Sequence, residues 1–596
     1  MQKANSLLAA IHDRGQKGQK LERVYRMLYN KELYLMAYAR LYPNDGAMTK
    51  GVTDETVDGM SMDKIDALIE EIRYERFKWT PVKRIYIPKS NGKTRPLGIP
   101  TWKDKLVQEV LRMILNAYYE PQFSHYSHGF RPERGCHTAL ETVRKTWTGT
   151  KWFIEGDIAQ YFDTINHDVL MNIIGKHIDD GRVLRLLKGL LEAGYMEDWK
   201  FNRTYSGTPQ GGVISPILSN IYLNEFDQWM KKTLIPEYTQ GKKRRTHLPY
   251  ARVNNKLSDM GKAGETEGVK ALIKERRKHP SVDPHDPNYR RLFYIRYADD
   301  FLCGFAGTME EAEEIKQTIK VWMQDNLKLT LSDEKTLITH ATKEAAKFLG
   351  YEVATQIVQD KLDVRGRRAT NGNISLRVPA KVIEDKCAKY MRRGKIVHRA
   401  ELIHETDFSI ILKYQQEYRG IVQYYLLAPN VCWFQRLQRV MKISLLKTLA
   451  NKYKSTSRKM LRKYEATVVM PDGKTLKCLQ VKVTREGKDP LVAQFGGIAL
   501  ERKENIALKD DAQMPPWLLN GRNEILKRML ANECELCGSK KNIQVHHIRK
   551  MADLKKKGQR ERPAWMEAMV AMKRKTLVVC RECHTNIHAG RPTSAK

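Results

Sequence analysis

The chain has 596 residues, more than one hydrophobic core usually organises, so several domains are expected. Lys and Arg number 105 against 69 Asp and Glu, a formal net charge of +36 that repels itself and favours a polyanionic partner, nucleic acid above all. There is no run of about 18 apolar residues to span a bilayer, and residues 1–30 lack an apolar signal core and carry Asp13 and Glu22, which disfavours a membrane partner or an organellar presequence.

Residues 1–60 begin with a mixed helical pattern, with Leu21, Val24, Tyr25 and Leu28 at helical spacing, and pass into the turn-rich link Leu41-Tyr42-Pro43-Asn44-Asp45-Gly46. Residues 83–100 read as strand, turn, strand. Asn91-Gly92 is a hairpin signal, and flanks that mix apolar with basic residues suit a phosphate-bearing ligand. The run Lys151-Trp152-Phe153-Ile154-Glu155-Gly156-Asp157 is an apolar strand ending in an acid. Gly207, Pro209 and Gln210-Gly211-Gly212 precede a helix-like run from Ile217 to Trp229; glycines there permit close backbone approach. Residues 236–290 form a polar, basic insertion, either a surface excursion on RNA or a partly disordered segment.

Tyr294-Ile295-Arg296-Tyr297-Ala298-Asp299-Asp300-Phe301-Leu302-Cys303 places two adjacent carboxylates between strand-forming flanks. Neighbouring side chains of a regular strand point to opposite faces, so the pair shares a site only where the backbone turns, at a hairpin tip. Two like charges held so close call for a divalent cation, and Asp157 is the candidate third carboxylate. Carboxylates on two strands suit two magnesium ions in an in-line phosphoryl transfer. An amphipathic helix from Glu310 to Met323 and a strand at Leu329-Thr330-Leu331 follow.

From about residue 365 to 500 the pattern reads as largely helical, with Tyr414, Tyr418, Val422 and Tyr425 on one segment and Leu437, Val440, Ile443 and Leu446 on the next. The cationic stretch from Lys452 to Lys459 follows them, and helices with a basic, aromatic face suit a nucleic acid duplex. Of nine cysteines, Cys136, Cys303, Cys387, Cys432 and Cys478 are expected as free, packed thiols. Cys534-Glu535-Leu536-Cys537 and Cys580-Arg581-Glu582-Cys583 are two Cys-x-x-Cys knuckles whose spacing predicts a closed, structural zinc site. Between and after them lie His546-His547, in a strand-like run, and His584 with His588 one helical turn apart.

Taken together, Tyr297-Ala298-Asp299-Asp300 and the blocks around it resemble the reverse transcriptases of group II intron-encoded proteins in order and spacing. The blocks are Ile87-Pro88-Lys89 with Arg95 to Pro100, His128 to Pro132, Asp157 with Tyr161-Phe162-Asp163, Gly207 to Pro216, Lys335-Thr336 and Phe348 to Tyr351. The match spans roughly residues 60 to 355, and the flanking regions extend it. The resemblance implies an α+β right-hand polymerase with fingers and palm at 61–360, the basic insertion lying inside them at 236–290. It implies an α-helical thumb and maturase domain X at 361–500, a DNA-binding linker at 501–530 and a small zinc-binding ββα HNH domain at 531–596. By the same resemblance Asp157, Asp299 and Asp300 are catalytic, and Lys89, Arg95, Phe162, Gln210, Gly211 and Lys335 bind the nucleotide, with Phe162 selecting deoxyribose.

In the HNH-like terminus the resemblance makes His547 the general base, with His546 and His588 holding one magnesium ion and His584 as an alternate ligand. Thr576 stands where the wider HNH family usually has Asn, which weakens the expectation of cleavage more than that of zinc binding. The N-terminal extension touches the RNA template in that family, and from the residues alone it equally suits a packing role. Implied partners are intron RNA, target DNA and deoxynucleoside triphosphates; a bacterial cytoplasmic location, associated with the nucleoid, is expected over an organellar one. The expected activity is RNA-directed DNA synthesis, with assistance to splicing and nicking of target DNA to prime it. The open alternatives are a splicing factor without catalysis and a reverse transcriptase of another bacterial retroelement.

Overall fold

A single antiparallel sheet separates two hydrophobic cores, and the alternation of its side chains makes the division. A computed structural model describes residues 2–88, 92, 94–198, 200–204, 206–207, 211–264, 266–358, 370–470, 473–485, 487–504, 524–554 and 563–593. The sheet has the strand order Leu337–His340, Trp152–Gly156, Asp300–Phe305, Leu292–Tyr297, every neighbouring pair antiparallel. Ile154, Tyr294, Phe301 and Cys303 face one core, while their neighbours Phe153, Ile295 and Leu302 face the other. Strands covered on both faces admit a polar residue within them only when it is fully paired.

On the first side pack the helices Trp102–Tyr119, Ser215–Trp229 and Met309–Leu327, the last started by a capping box in which Thr308 and Glu311 satisfy each other's backbone N–H. This core continues without a break through the N-terminal helices into the last 70 residues, joining Val57 and Met60 to Val545 and Val578. On the second side lie a three-stranded sheet (Ala346–Phe348, Tyr351–Thr355, Ile374–Arg377) and the helices Asp407–Tyr424 and Phe434–Lys452. The basic hairpin Val82–Pro88 and Thr94–Ile99 forms its own sheet with Tyr195–Glu197 and Lys200–Asn202. The chain is thus a mixed α/β protein, and no helix among the described residues is long and apolar enough to cross a membrane.

Several expectations change. The region 365–500 does not stay helical: Glu465–Val469, Thr475–Arg485 and Lys488–Gly496 form an antiparallel meander, packed on the helix Asp407–Tyr424 through Leu479, Ala493 and Phe495. Tyr414, Tyr418, Val422 and Tyr425 do share a helical face, but it is buried core, not a surface for nucleic acid. Leu21, Val24, Tyr25 and Leu28 are all buried, yet only Val24–Met27 is helical; Leu21–Glu22 pairs with Ile178–Asp179. The basic insertion carries two exposed helices, Leu248–Ala263 and Val269–Arg276, closed at its base by bridges from Gln240 to Arg290 and from Thr246 to Val282. At Leu329 to Leu331 there is only a single bridge, Leu331 to Ile158, and Cys432 is exposed instead of packed.

Candidate functional site

The hairpin Leu292–Tyr297 and Asp300–Phe305 turns through Ala298 and Asp299 alone, so Asp299 sits in the tip and Asp300 begins the return strand. Ala298 holds φ at 57°, a left-handed conformation that a small side chain tolerates best. Gly129 lies against it so closely that a Cβ there would stand 2.3 Å from the Ala298 nitrogen. In the adjacent strand Gly156 pairs with Phe301, so the next residue, Asp157, lies level with Asp300. A Cβ on Gly156 would meet the Phe301 ring at 2.0 Å, which is why the strand carries glycine just before its acid. The structure therefore brings the three expected carboxylates to one edge of the central sheet.

Their electrostatics follow from that crowding. Desolvation, then the charges of Asp299 and Asp157, push the Asp300 carboxyl up to about 6, with Lys335 acting against them. Asp299 is raised too, first by burial and then by Asp157, while Arg95 and Arg296 oppose the shift. Lys335 extends to Asp157, its Nζ 2.8 Å from Oδ2, and that hydrogen bond raises its own pKa. Hard oxygen donors that repel one another with one ammonium as offset fit magnesium.

A residue pair that sequence reading passed over braces the tip from beneath. Arg296 and Asp227 are both fully buried, and Nε and Nη2 of the arginine reach Oδ1 and Oδ2 of the aspartate at 2.9 and 2.6 Å. Arg296 Nη1 donates to the Ala298 carbonyl at 2.6 Å, and the Tyr294 hydroxyl donates to Asp227 at 2.7 Å. The available signal was a lone Asp inside the apolar run Ile217–Trp229 and a lone Arg inside an otherwise apolar strand.

Above the acids stands the basic hairpin. Arg95 pairs with Ile87 in its register and is exposed, its charge reaching Asp299. Gly211, at φ 101°, packs on that hairpin where a Cβ would lie 2.7 Å from Leu97 and 2.8 Å from the Gly98 carbonyl. Phe162 is half-buried and lines a cavity of about 50 Å³ together with Arg84, Pro96, Gly98 and Gly207. Lys89 and Gln210 lie outside the described residues.

In the terminal domain, Ile543–His547 and Thr576–Cys580 form a hairpin that leads into the helix Arg581–Ala589. The four cysteine sulfurs lie within 4.8 Å of one another, and Cys537 Sγ stands 3.7 Å from Cys580 Sγ. Zinc–sulfur bonds of about 2.3 Å in a tetrahedron give sulfurs about 3.8 Å apart, so the thiols fit that ion. The backbone N–H groups of Cys537 and Cys583 donate to the sulfurs of Cys534 and Cys580.

A second cluster joins His546, His584 and His588 around Asp58, a residue sequence reading did not single out. Burial pushes the Asp58 carboxyl up, but the ring nitrogens of His546 and His584 and the His547 backbone N–H outweigh it, holding it well below the usual carboxylate range. His547 does not join the cluster. Strand alternation turns its ring the other way, where Nε2 lies 2.8 Å from the Tyr38 hydroxyl and burial lowers its pKa to about 3. Thr576 is its cross-strand neighbour and accepts a hydrogen bond from Arg528 at 3.1 Å. Both line a cavity of about 290 Å³ with Arg528, Arg549, Arg574 and Lys575.

Residues 87–353 match the reverse transcriptases (RNA-dependent DNA polymerases), 373–496 the type II intron maturases, and 534–584 the AI2M/AI1M-like HNH endonucleases. The group II intron-encoded protein LtrA of Lactococcus lactis subsp. cremoris is 37% identical over 593 residues, 95% of each chain. A putative COX1/OXI3 intron 1 protein of Saccharomyces cerevisiae is 32% identical over 94% of this chain and 68% of its own, and the Escherichia coli protein YkfC is 34% identical over 56% of this chain and 83% of its own. With reverse transcriptase, maturase and HNH matches in one chain and a relative 37% identical over 95% of it, the chain belongs to the group II intron-encoded proteins, acting as a reverse transcriptase, a splicing maturase and an endonuclease.

Proposed function

We propose that Asp157, Asp299 and Asp300 are the polymerase carboxylates and hold two magnesium ions over which an RNA template is copied from deoxynucleoside triphosphates. When bound, the ions activate the primer hydroxyl and steady the leaving oxygen. The register that sets Asp157 level with Asp300 carries this reading. Beside the acids, Arg95 orients the triphosphate and Gly211 leaves room for the incoming base pair, with Lys89 and Gln210 as further nucleotide-binding residues. Phe162 closes the sugar side, and Lys335 holds Asp157 until a cation replaces its ammonium.

In architectural detail, residues 61–360 are fingers and palm, with the basic insertion at 236–290, and 361–500 are the thumb and domain X. The N-terminal extension is 1–60, the DNA-binding linker 501–530, and 531–596 a zinc-stabilised ββα endonuclease that nicks target DNA to supply the primer. His546, His584 and His588 serve as its divalent-cation ligands and His547 as its base; a base works best with a pKa near neutrality, so it acts once its ring is freed from Tyr38. A duplex target and the charge of +36 are consistent with work at the bacterial nucleoid.

Primer extension on an RNA template tests the first part. Asp299→Ala combined with Asp300→Ala abolishes extension while intron RNA binding persists; extension by that variant at a rate near the parent's removes the assignment.

A further inference from the structure

Asp58 lies 489 residues from His547 in the chain, yet its Oδ1 accepts that residue's backbone N–H at 2.7 Å. Oδ2 stands 2.7 Å from His588 Nε2, and Oδ1 stands 3.2 Å from His584 Nε2 and 3.4 Å from His546 Nδ1. The segment is held there by backbone pairing: Gly59 N–H donates to the Val545 carbonyl and Val545 N–H to the Met60 carbonyl, both at 2.9 Å. Gly59, at φ 70°, makes the turn that aims the carboxylate inward, and a Cβ on it would already touch the His584 ring at 3.4 Å. Val57 and Met60 on either side are buried.

Hydrogen bonding alone does not satisfy this cluster. A carboxylate only accepts, and each neutral imidazole has one donor. His584 Nε2 faces both Asp58 and His588 Nε2, the two ring nitrogens 3.2 Å apart. Nε2 of the buried His546 lacks a hydrogen-bond partner among the described residues, and its Nδ1 has only the long 3.4 Å approach to Asp58. Three nitrogens and one oxygen converging within 4.8 Å are a donor set for one divalent cation. Four protein ligands close a four-coordinate cation, and at a six-coordinate one the carboxylate still occupies a position that the three histidines leave to water or substrate. The same N-terminal region also covers the base, since Tyr38 engages His547 and leaves it 4% exposed.

We propose that Asp58 is a fourth ligand of the cation held by His546, His584 and His588, and that residues 57–60 thereby seal the endonuclease. The carboxylate takes the coordination position that a DNA phosphate oxygen requires. Cleavage then follows only when this segment withdraws. The inference rests on the histidines being cation ligands, and the experiment separates the two.

Full-length protein carrying Asp299→Ala and Asp300→Ala, so that the polymerase edge adds no cation site, is titrated with Mn2+ by electron paramagnetic resonance. Manganese is paramagnetic, binds mixed imidazole and carboxylate donors more weakly than later metals, and leaves the thiolates to zinc. Asp58→Ala and Asp58→Asn are compared with their parent and with His588→Ala, and each is also assayed for nicking of duplex DNA without RNA. Both Asp58 variants lose about tenfold or more in Mn2+ affinity, the scale of losing a supporting ligand. They also nick faster than the parent, and their His547 becomes reactive toward diethylpyrocarbonate. His588→Ala loses binding and nicking together. Unchanged Mn2+ affinity in both Asp58 variants overturns the ligand, and nicking that fails to rise overturns the seal. Parent-like Mn2+ binding by His588→Ala overturns the histidine reading itself, whatever Asp58 does.

Discussion

Asp300 is the group whose protonation the site controls most directly. Its carboxyl stands at about 6 against 3.8 for the free side chain, so between those values the folded, cation-free protein keeps a proton that the unfolded chain has released. Stability of the cation-free protein therefore falls as pH rises through that window, because the folded state binds more protons there. Cation binding needs the ionised form and expels the proton. The rise in melting temperature on adding magnesium is accordingly full near pH 8 and shrinks as pH falls through about 6. Asp300→Asn flattens the part of that profile belonging to this site; an unchanged profile in the variant places the titrating group elsewhere. At this scale the three acids were legible, because an acid ending an apolar strand has no structural reason to be there. Asp227 and Asp58 were not, since each acquires its meaning from partners 69 and 489 residues away.

Between elements, the Arg296–Asp227 pair ties the helix Ser215–Trp229 to the strand that presents the Asp pair. Removing one member leaves a buried charge alone. Arg296→Met is expected to cost about 3–5 kcal/mol, and adding Asp227→Leu to recover most of it, as measured by chemical denaturation. Polymerase activity does not recover with stability, because the Ala298 carbonyl still lacks its donor. A double variant as unstable as the single one excludes the brace. Hairpins with strong turn chemistry and long helices with apolar faces were readable from sequence. The meander at 465–496 was not: about half of its described strand residues are exposed, and few apolar side chains, Cys478, Leu479, Ala493 and Phe495, are buried. Alternation is faint where a sheet buries so little.

Across the whole molecule, the net charge of +36 demands a salt-dependent grip on RNA. With about eight phosphates neutralised, intron RNA affinity drops on the order of a thousandfold or more between about 50 and 200 mM salt. Filter binding across that range tests it; a loss below tenfold indicates that few of the cations meet phosphate. The buried tyrosine face of the helix Asp407–Tyr424 leaves that grip to exposed cations, such as those of the helix Ser457–Tyr464 and of the insertion helices. The maturase and HNH matches also set aside a retroelement that lacks those functions.

Sequence by itself determined the order of the blocks, the three acids, the two Cys-x-x-Cys knuckles and the appetite for polyanions, because each is a matter of local chemistry or of composition. Only the tertiary structure decided which buried charges brace the Asp turn, that the tyrosines are core, and that Asp58 and Tyr38 sit on the histidines of the terminal region. Those outcomes depend on the packing of segments hundreds of residues apart, and spacing along a chain carries no record of which distant surface a side chain will meet.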